Sequence, residues 1–283
     1  MLSRSLCALA LIIATPAPIL ADPAPAASAA HDRVLPLQGG RNFRDLGGYP
    51  TGDGRHVKWG VLFRSGSMTG LTAADYASLE RRGIRVVCDF RDSHERAAEP
   101  VNWPAPGAPR VLTEDYLLDY AALMPKGSMS GWTAETARAT LAASYPHMLV
   151  QFNGQYRRMF AALVAGEAPL AFNCSAGKDR TGIAAALVLT ALGVPRETVI
   201  EDYLLTNRTL DPAALAAGKA SANSPWARLD PAVRQAFFAA DRRYIEAAFA
   251  VIDAHRDGAS GYLRDELGLG DDQILTLRRL YLE

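Results

Sequence analysis

Apolar positions in this chain come in two textures: short unbroken runs, and longer stretches whose apolar residues recur at helical spacing. Ile84-Arg85-Val86-Val87-Cys88-Asp89-Phe90 and Pro169-Leu170-Ala171-Phe172 are runs of the first kind. They read as neighbouring parallel strands buried inside a sheet. Val34 to Leu37 and Val57 to Phe63 read as further strands around a Gly-rich turn, Thr51-Gly52-Asp53-Gly54. Thr72 to Arg82 predicts a helix capped by Thr72, with Asp75 at the capping-box distance and Gly83 as its stop before the Ile84 strand. Asn153 to Ala165 predicts an amphipathic helix with Tyr156, Phe160 and Leu163 on one face. More helices are expected from Ile183 to Leu192, Arg196 to Leu205, Asp230 to His255 and Asp271 to Leu282, with Gly193-Val194-Pro195 stopping the first. Trp103 to Pro109 reads as a loop and Ala213 to Ser224 as loosely held chain. Leu117 to Ala143, interrupted at Pro125-Lys126-Gly127-Ser128, predicts one or two helices forming an insertion.

The order of these elements is mixed strands, helix and strand, strand-loop-helix, then helices alone. It predicts an α/β fold with a central, mostly parallel sheet flanked by helices. Ligands in such sheets sit beyond the C-terminal strand ends, and the insertion, at about residues 115–150, is expected to lie over that site. The N-terminus is expected to be outside the fold. One basic residue, an apolar core from Leu6 to Ile13 and a small-residue stretch ending near Ala21 read as a secretory signal peptide over 1–21. Residues 22–33 are Ala/Pro-rich and read as a disordered tether, leaving 34–283 as one domain. Export to the periplasm or the medium is the corresponding expectation, with no integral membrane segment after cleavage.

Composition narrows the function classes. Thirty basic residues balance thirty acidic ones, so no cationic excess points to nucleic acid or to an anionic membrane. Of three cysteines, only Cys88 and Cys174 lie beyond Ala21, too few for a disulfide scaffold. Cys88 reads as a packed core thiol, with a reversible Cys88–Cys174 bridge as the alternative.

The candidate chemistry lies where the Pro169 strand ends, in Asn173-Cys174-Ser175-Ala176-Gly177-Lys178-Asp179-Arg180-Thr181-Gly182. A strand, a tight loop and a helix N-terminus make an anion site, because free N–H groups and the helix dipole converge there. The same field favours thiolate over thiol at Cys174. Arg180 presents a planar fork to two phosphate oxygens. A Walker A loop is excluded by Asp179 after Gly177-Lys178 and by Phe172 where a Gly is required. The histidines form no ligand-spaced pair for zinc.

Cys174 to Arg180 resembles the Cys-x5-Arg loop of protein tyrosine phosphatases, and the longer loop resembles the bacterial and fungal branch that carries Ala-Gly-Lys-Asp-Arg-Thr-Gly. That branch includes secreted tyrosine and phosphoinositide phosphatases. Arg41-Asn42-Phe43-Arg44-Asp45-Leu46-Gly47-Gly48-Tyr49, Leu62-Phe63-Arg64-Ser65, Asp89-Phe90-Arg91 through Glu95, and Asp202-Tyr203-Leu204-Leu205-Thr206-Asn207 are similar to segments of the same branch. One departure is Asn173, where many relatives carry His. The resemblance implies a tyrosine-phosphatase-like fold and a phosphocysteine intermediate without metal or other cofactor.

In that mechanism, main-chain N–H groups from Ser175 through Ala176, Gly177, Lys178 and Asp179 to Arg180 cradle phosphate, and Cys174 attacks phosphorus. Asp179 is the first candidate for general acid, with Asp89 or Asp92 as alternatives. Lys178 is a second cation facing phosphate, and the resemblance gives Thr181 a hydrogen bond to the leaving sulfur. Arg44 and Asp45 are expected to hold the loop, as are Asn173 and Asp89. Arg64 and Arg91 are expected in ion pairs with Asp89 and Glu95. A phosphotyrosine protein, with dual specificity as an extension, is the first substrate reading. A phosphoinositide and a phosphate-binding module without turnover are the alternatives.

Overall fold

A computed structural model describes residues 31–118, 131–210 and 229–283. The signal peptide, most of the tether, part of the expected insertion and the Ala213–Ser224 stretch fall outside the described residues. Strands β1 (Arg44–Asp45), β2 (Leu62–Ser65), β3 (Val86–Asp89), β4 (Arg110–Leu112) and β5 (Leu170–Asn173) form one sheet in the order β1-β2-β5-β3-β4. β1 is antiparallel to β2 and every other pairing is parallel. The expected α/β architecture is therefore present.

Side chains alternate across the sheet, and both faces are covered. Leu62, Val86, Cys88, Leu170 and Phe172 belong to the larger core, while Phe63, Val87 and Ala171 belong to a second one with Leu79. That burial on two sides is why these strands read as continuous apolar runs. Ser65, Asn173 and Asp89 are register partners, so β2, β5 and β3 end level with one another. The loops that follow them share one edge, with the cysteine loop in the middle.

The helices are α1 (Ala73–Arg81), α2 (Ser93–Ala98), α3 (Ala134–Gln151), α4 (Asn153–Val164), α5 (Asp179–Leu192), α6 (Arg196–Leu204), α7 (Thr206–Thr209), α8 (Pro231–Phe238), α9 (Arg242–Ala254), α10 (Gly258–Leu267) and α11 (Asp271–Tyr281). Thr72 and Asp75 form the predicted capping box on α1. Gly193 ends α5 with φ 87°, the left-handed stop its position predicts. No described helix is long and apolar enough to cross a membrane.

Four expectations need correction. Val34 to Leu37 is not a strand; Val34 makes only an isolated bridge to Arg44. Val57 likewise bridges Leu282, and the strand proper begins at Leu62. The helix expected to end at Ala143 runs to Gln151 through Pro146. Burial of Tyr145, Met148 and Leu149 outweighs the backbone hydrogen bond that proline removes. The helix expected over Asp230 to His255 is two helices, broken at extended Ala239 and restarted by Asp241, whose carboxylate accepts from Arg243 N–H.

Candidate active site

Cys174 stands one residue past β5 and is buried, 2% exposed. The next three residues form a loop whose carbonyls all have donors behind them. Ser175 O accepts from Ser67 N–H at 3.0 Å and from Arg41 Nη1 at 3.2 Å. Ala176 O accepts from Asn42 Nδ2 at 3.2 Å, and Gly177 O accepts from Asn42 Nδ2 at 2.9 Å and Arg64 Nη2 at 2.8 Å. Among the described residues, the N–H groups of Ser175 to Lys178 have no main-chain acceptor. Asp179 and Arg180 open α5, where the first-turn N–H groups have no partner within the helix. Donors drawn from the segment before β1, from β2 and from the turn after it thus turn the carbonyls one way and leave the amides as an anion cradle.

Packing makes this geometry specific. Gly177 has φ 70°, and a Cβ there would lie 2.5 Å from Gly66 N and Ser65 O. Asn42 also adopts a left-handed conformation, φ 53°, which Asn tolerates better than most residues. Its Oδ1 accepts from Arg44 Nη1 and from Thr209 Oγ1 while its amide serves the loop, so every polar group of that side chain is used.

Arg180 is held by a cluster of oxygens. Its Nη1 donates to Glu95 Oε2 at 2.7 Å, Tyr116 Oη at 2.8 Å and Phe90 O at 2.9 Å, and Nη2 donates to Glu95 Oε1 at 2.7 Å. Ser175 Oγ donates to the same Oε1 at 2.5 Å. Burial pulls the guanidinium down, but Glu95 and Cys174 together raise it well above the ordinary arginine value. Burial pushes the Glu95 carboxyl up, and Arg180 and Ser175 outweigh it, holding it at about 2. Glu95 lies on α2, a helix the sequence reading missed; Asp92 with Glu95 three residues later is a capping box that would have marked it. Glu95 was expected as an ion-pair partner of Arg64 or Arg91 and pairs instead with Arg180.

The other expected residues divide between the loop and its foundations. Arg44 and Arg64 are both fully buried and converge on Asp202, at 3.1 and 2.6 Å. Burial and then Arg64 pull Arg44 down to about 10. Burial alone would raise Asp202, but Arg44 and Arg64 hold it well below the usual carboxylate range. Asp45 does not reach the loop: its carboxylate accepts from Gly47 N–H and Gly60 N–H and shapes the turns beside β1. Asp89 is paired with Arg91 and accepts from Asn173 Nδ2 at 3.0 Å, so Asn173 fixes the strand end from which the loop departs. Asp92 caps α2 and also accepts from Leu118 N–H. Asp89 and Asp92 are both engaged away from the loop, while Asp179 opens α5 directly after it, its side chain 25% exposed. Thr181 Oγ1 donates to Ser65 O at 3.4 Å.

Lys178 was expected to face phosphate, and its side chain goes elsewhere. It is buried, and its ammonium donates to Phe237 O at 2.6 Å and Ala239 O at 3.2 Å. The break between α8 and α9 frees those carbonyls, and an ammonium is drawn to them. Its contact with the site is an ion pair of 3.2 Å with Asp179.

Cys88 and Cys174 are both free thiols. Cys88 pairs across the sheet with Phe172, so Cys174 lies two residues further, about 7 Å along the strand direction. With strands about 5 Å apart, the Cα separation exceeds the roughly 7 Å span of a disulfide. Burial pushes the Cys88 thiol up to about 12, as befits a packed core residue.

A family model described as "Tyrosine phosphatase family" matches residues 35–283. A Cupriavidus necator protein named as a tyrosine-protein phosphatase is 34% identical over 254 residues, covering 85% of each chain. The triple specificity protein phosphatase PtpB of Mycobacterium tuberculosis is 27% identical, covering 88% of this chain and 99% of its own. A tyrosine-protein phosphatase of Nostoc commune is 26% identical, covering 77% and 73%. With the family match spanning the whole sheet, the cysteine loop and the helices behind it, this chain belongs to the tyrosine phosphatase family.

Proposed function

We propose that the chain hydrolyses phosphotyrosine through a phosphocysteine on Cys174. The observation that carries this reading is the loop itself: carbonyls tied back by Arg41, Asn42 and Arg64, amides left to a phosphate, and the Arg180 guanidinium anchored beside it by Glu95. In the first step the Cys174 thiolate forms an S–P bond as the P–O bond to tyrosine breaks. The phenolic oxygen takes the proton carried by Asp179. In the second step water attacks phosphorus, Asp179 accepts its proton, and the thiolate departs. Negative charge on the equatorial oxygens meets the loop N–H groups and Arg180, fixed donors that need no reorganisation.

The name of the mycobacterial relative supports a wider substrate range. A multiply charged phosphoinositide would call for a second free cation in the loop, and the Lys178 ammonium is committed to Phe237 and Ala239. Asn173, the departure from His that would favour a silent binding module, donates to Asp89 at the strand end. Phosphate release from a phosphotyrosine peptide, a phosphoserine peptide and a phosphoinositide, with Cys174→Ser beside the native enzyme, tests the reading. Turnover is expected on the phosphotyrosine peptide and its loss in the variant; equal turnover by both would refute it. Export is part of the same proposal, motivated by the apolar run Leu6 to Ile13. N-terminal sequencing of protein recovered outside the cytoplasm should begin at Asp22, and a chain beginning at Met1 would count against it.

A further inference from the structure

Among the described residues, the Asp179 carboxylate is approached on one oxygen. Tyr145 Oη, from α3, donates to Asp179 Oδ1 at 2.6 Å, and the Lys178 ammonium lies 3.2 Å from that same Oδ1. Among the described residues, Oδ2 has no hydrogen-bond partner. Tyr145 is itself held by Tyr203 of α6, hydroxyl to hydroxyl at 2.5 Å, and stands edge-on to that ring. Both phenols are fully buried. Burial, and next the Asp179 charge, push each of them well above the ordinary tyrosine value, so each stays protonated. Tyr244 of α9 closes the same side, its ring packed on Tyr145 and beneath the Lys178 ammonium, with its hydroxyl given to Ala236 O. Lys178, Tyr145, Tyr203 and Tyr244 are the titratable groups gathered around Asp179 on this side.

A carboxylic acid that delivers a proton must keep it on the oxygen facing the leaving group. An oxygen already accepting from a phenol and lying beside an ammonium has little basicity left for it. We infer that Tyr145 is a positioning residue for proton transfer: by occupying Oδ1 it turns the proton onto Oδ2, the oxygen left to face substrate, with Tyr203 fixing the Tyr145 hydroxyl. This inference rests on Asp179 being the general acid. In the forward step the proton passes from Oδ2 to the departing phenolate oxygen as P–O breaks and S–P forms. The resulting charge on Asp179 is then met at Oδ1 by the Tyr145 hydroxyl and the Lys178 ammonium. In the second step Oδ2 takes the proton back from the attacking water.

A positioning role separates from a structural one by its dependence on the leaving group. The comparison uses kcat/KM for phenyl phosphate, whose leaving oxygen needs a proton, and for 2,4-dinitrophenyl phosphate, whose leaving oxygen does not. Asp179→Asn should lose about 10²- to 10⁴-fold on the first substrate and little on the second. Tyr145→Phe should lose roughly 10-fold on the first and no more than about 2-fold on the second, the size of one charge-assisted hydrogen bond. Equal losses on both substrates, or none on either, would overturn the inference for Tyr145. Equal losses in Asp179→Asn would instead overturn Asp179 as the acid. If Tyr145→Phe does not fold, Tyr203→Phe carries the test. It should show the same selectivity at roughly 3-fold, as expected for one neutral hydrogen bond, and a uniform change would overturn the inference.

Discussion

At the scale of single residues, the site depends on what holds each functional group. Glu95 accepts two charge-assisted hydrogen bonds from Arg180 and a third from Ser175. Glu95→Gln should lower kcat/KM by about 10- to 100-fold, the equivalent of 1.5–3 kcal/mol. A loss under 2-fold would mean Arg180 is set without it. Glu95 also carries a pH signature. Its carboxyl is held at about 2 against an ordinary 4.5, so its contribution is complete above pH 4.5 and is lost as pH falls towards 2. That contribution is about 3 kcal/mol, and chemical denaturation of Glu95→Gln should show a flatter acid limb than the native enzyme. Lys178 separates the two roles a loop cation can have. Lys178→Met removes the ammonium from the Phe237 and Ala239 carbonyls and should cost about 1–3 kcal/mol in stability, with inhibition by inorganic phosphate changed less than about 2-fold. A roughly 10-fold loss of phosphate affinity would return Lys178 to the cradle. That Cys174, Asp179 and Arg180 stand between a strand end and a helix start was readable from the sequence. The destination of Lys178 was not, because it depends on a helix break 61 residues away, at Ala239.

At the scale of elements, the anion cradle is built by segments distant in sequence. Asn42 sits 135 positions before Gly177 and holds its carbonyl, while Arg64 reaches it from β2. The upstream Arg-Asn-x-Arg-Asp match was legible as a motif, but its residues act unequally. Arg41 and Asn42 hold the loop directly, Arg44 holds Asn42 and Asp202, and Asp45 shapes a turn. Asn42→Gly keeps the left-handed backbone and removes the amide; Asn42→Ala removes both advantages. Both variants should lose activity, with Ala less stable than Gly by about 1 kcal/mol. A fully active Asn42→Gly would show that the loop shapes itself. The strands, the cap on α1 and the stop on α5 were legible because each follows from local chemistry. The break after α8 was not, since Asn207 on α7 pins it by exchanging two hydrogen bonds with Ala240.

At the scale of the whole molecule, a buried cationic cluster underlies the sheet edge. Arg44 and Arg64 share one carboxylate, Asp202, so the cluster is one charge positive beneath a loop meant for an anion. Asp202→Asn would leave two buried guanidinium groups without a counter-charge and should cost about 3–5 kcal/mol, seen as a lower melting temperature with the fold's cooperativity retained. A change below about 0.5 kcal/mol, the range of ordinary surface substitutions, would mean the cluster is not what ties α6 to β2. Sheet class and the place of the site followed from the order of elements; the pairing of these charges required the fold, because composition balances them to zero. The central claim is that phosphate passes through Cys174. Rapid quenching in mildly alkaline denaturant during turnover of a phosphotyrosine peptide, followed by peptide mapping at the same pH, tests it most directly. The account predicts phosphate on the peptide containing Cys174 and none in Cys174→Ser; steady turnover with Cys174 unmodified, or by Cys174→Ser, would contradict it.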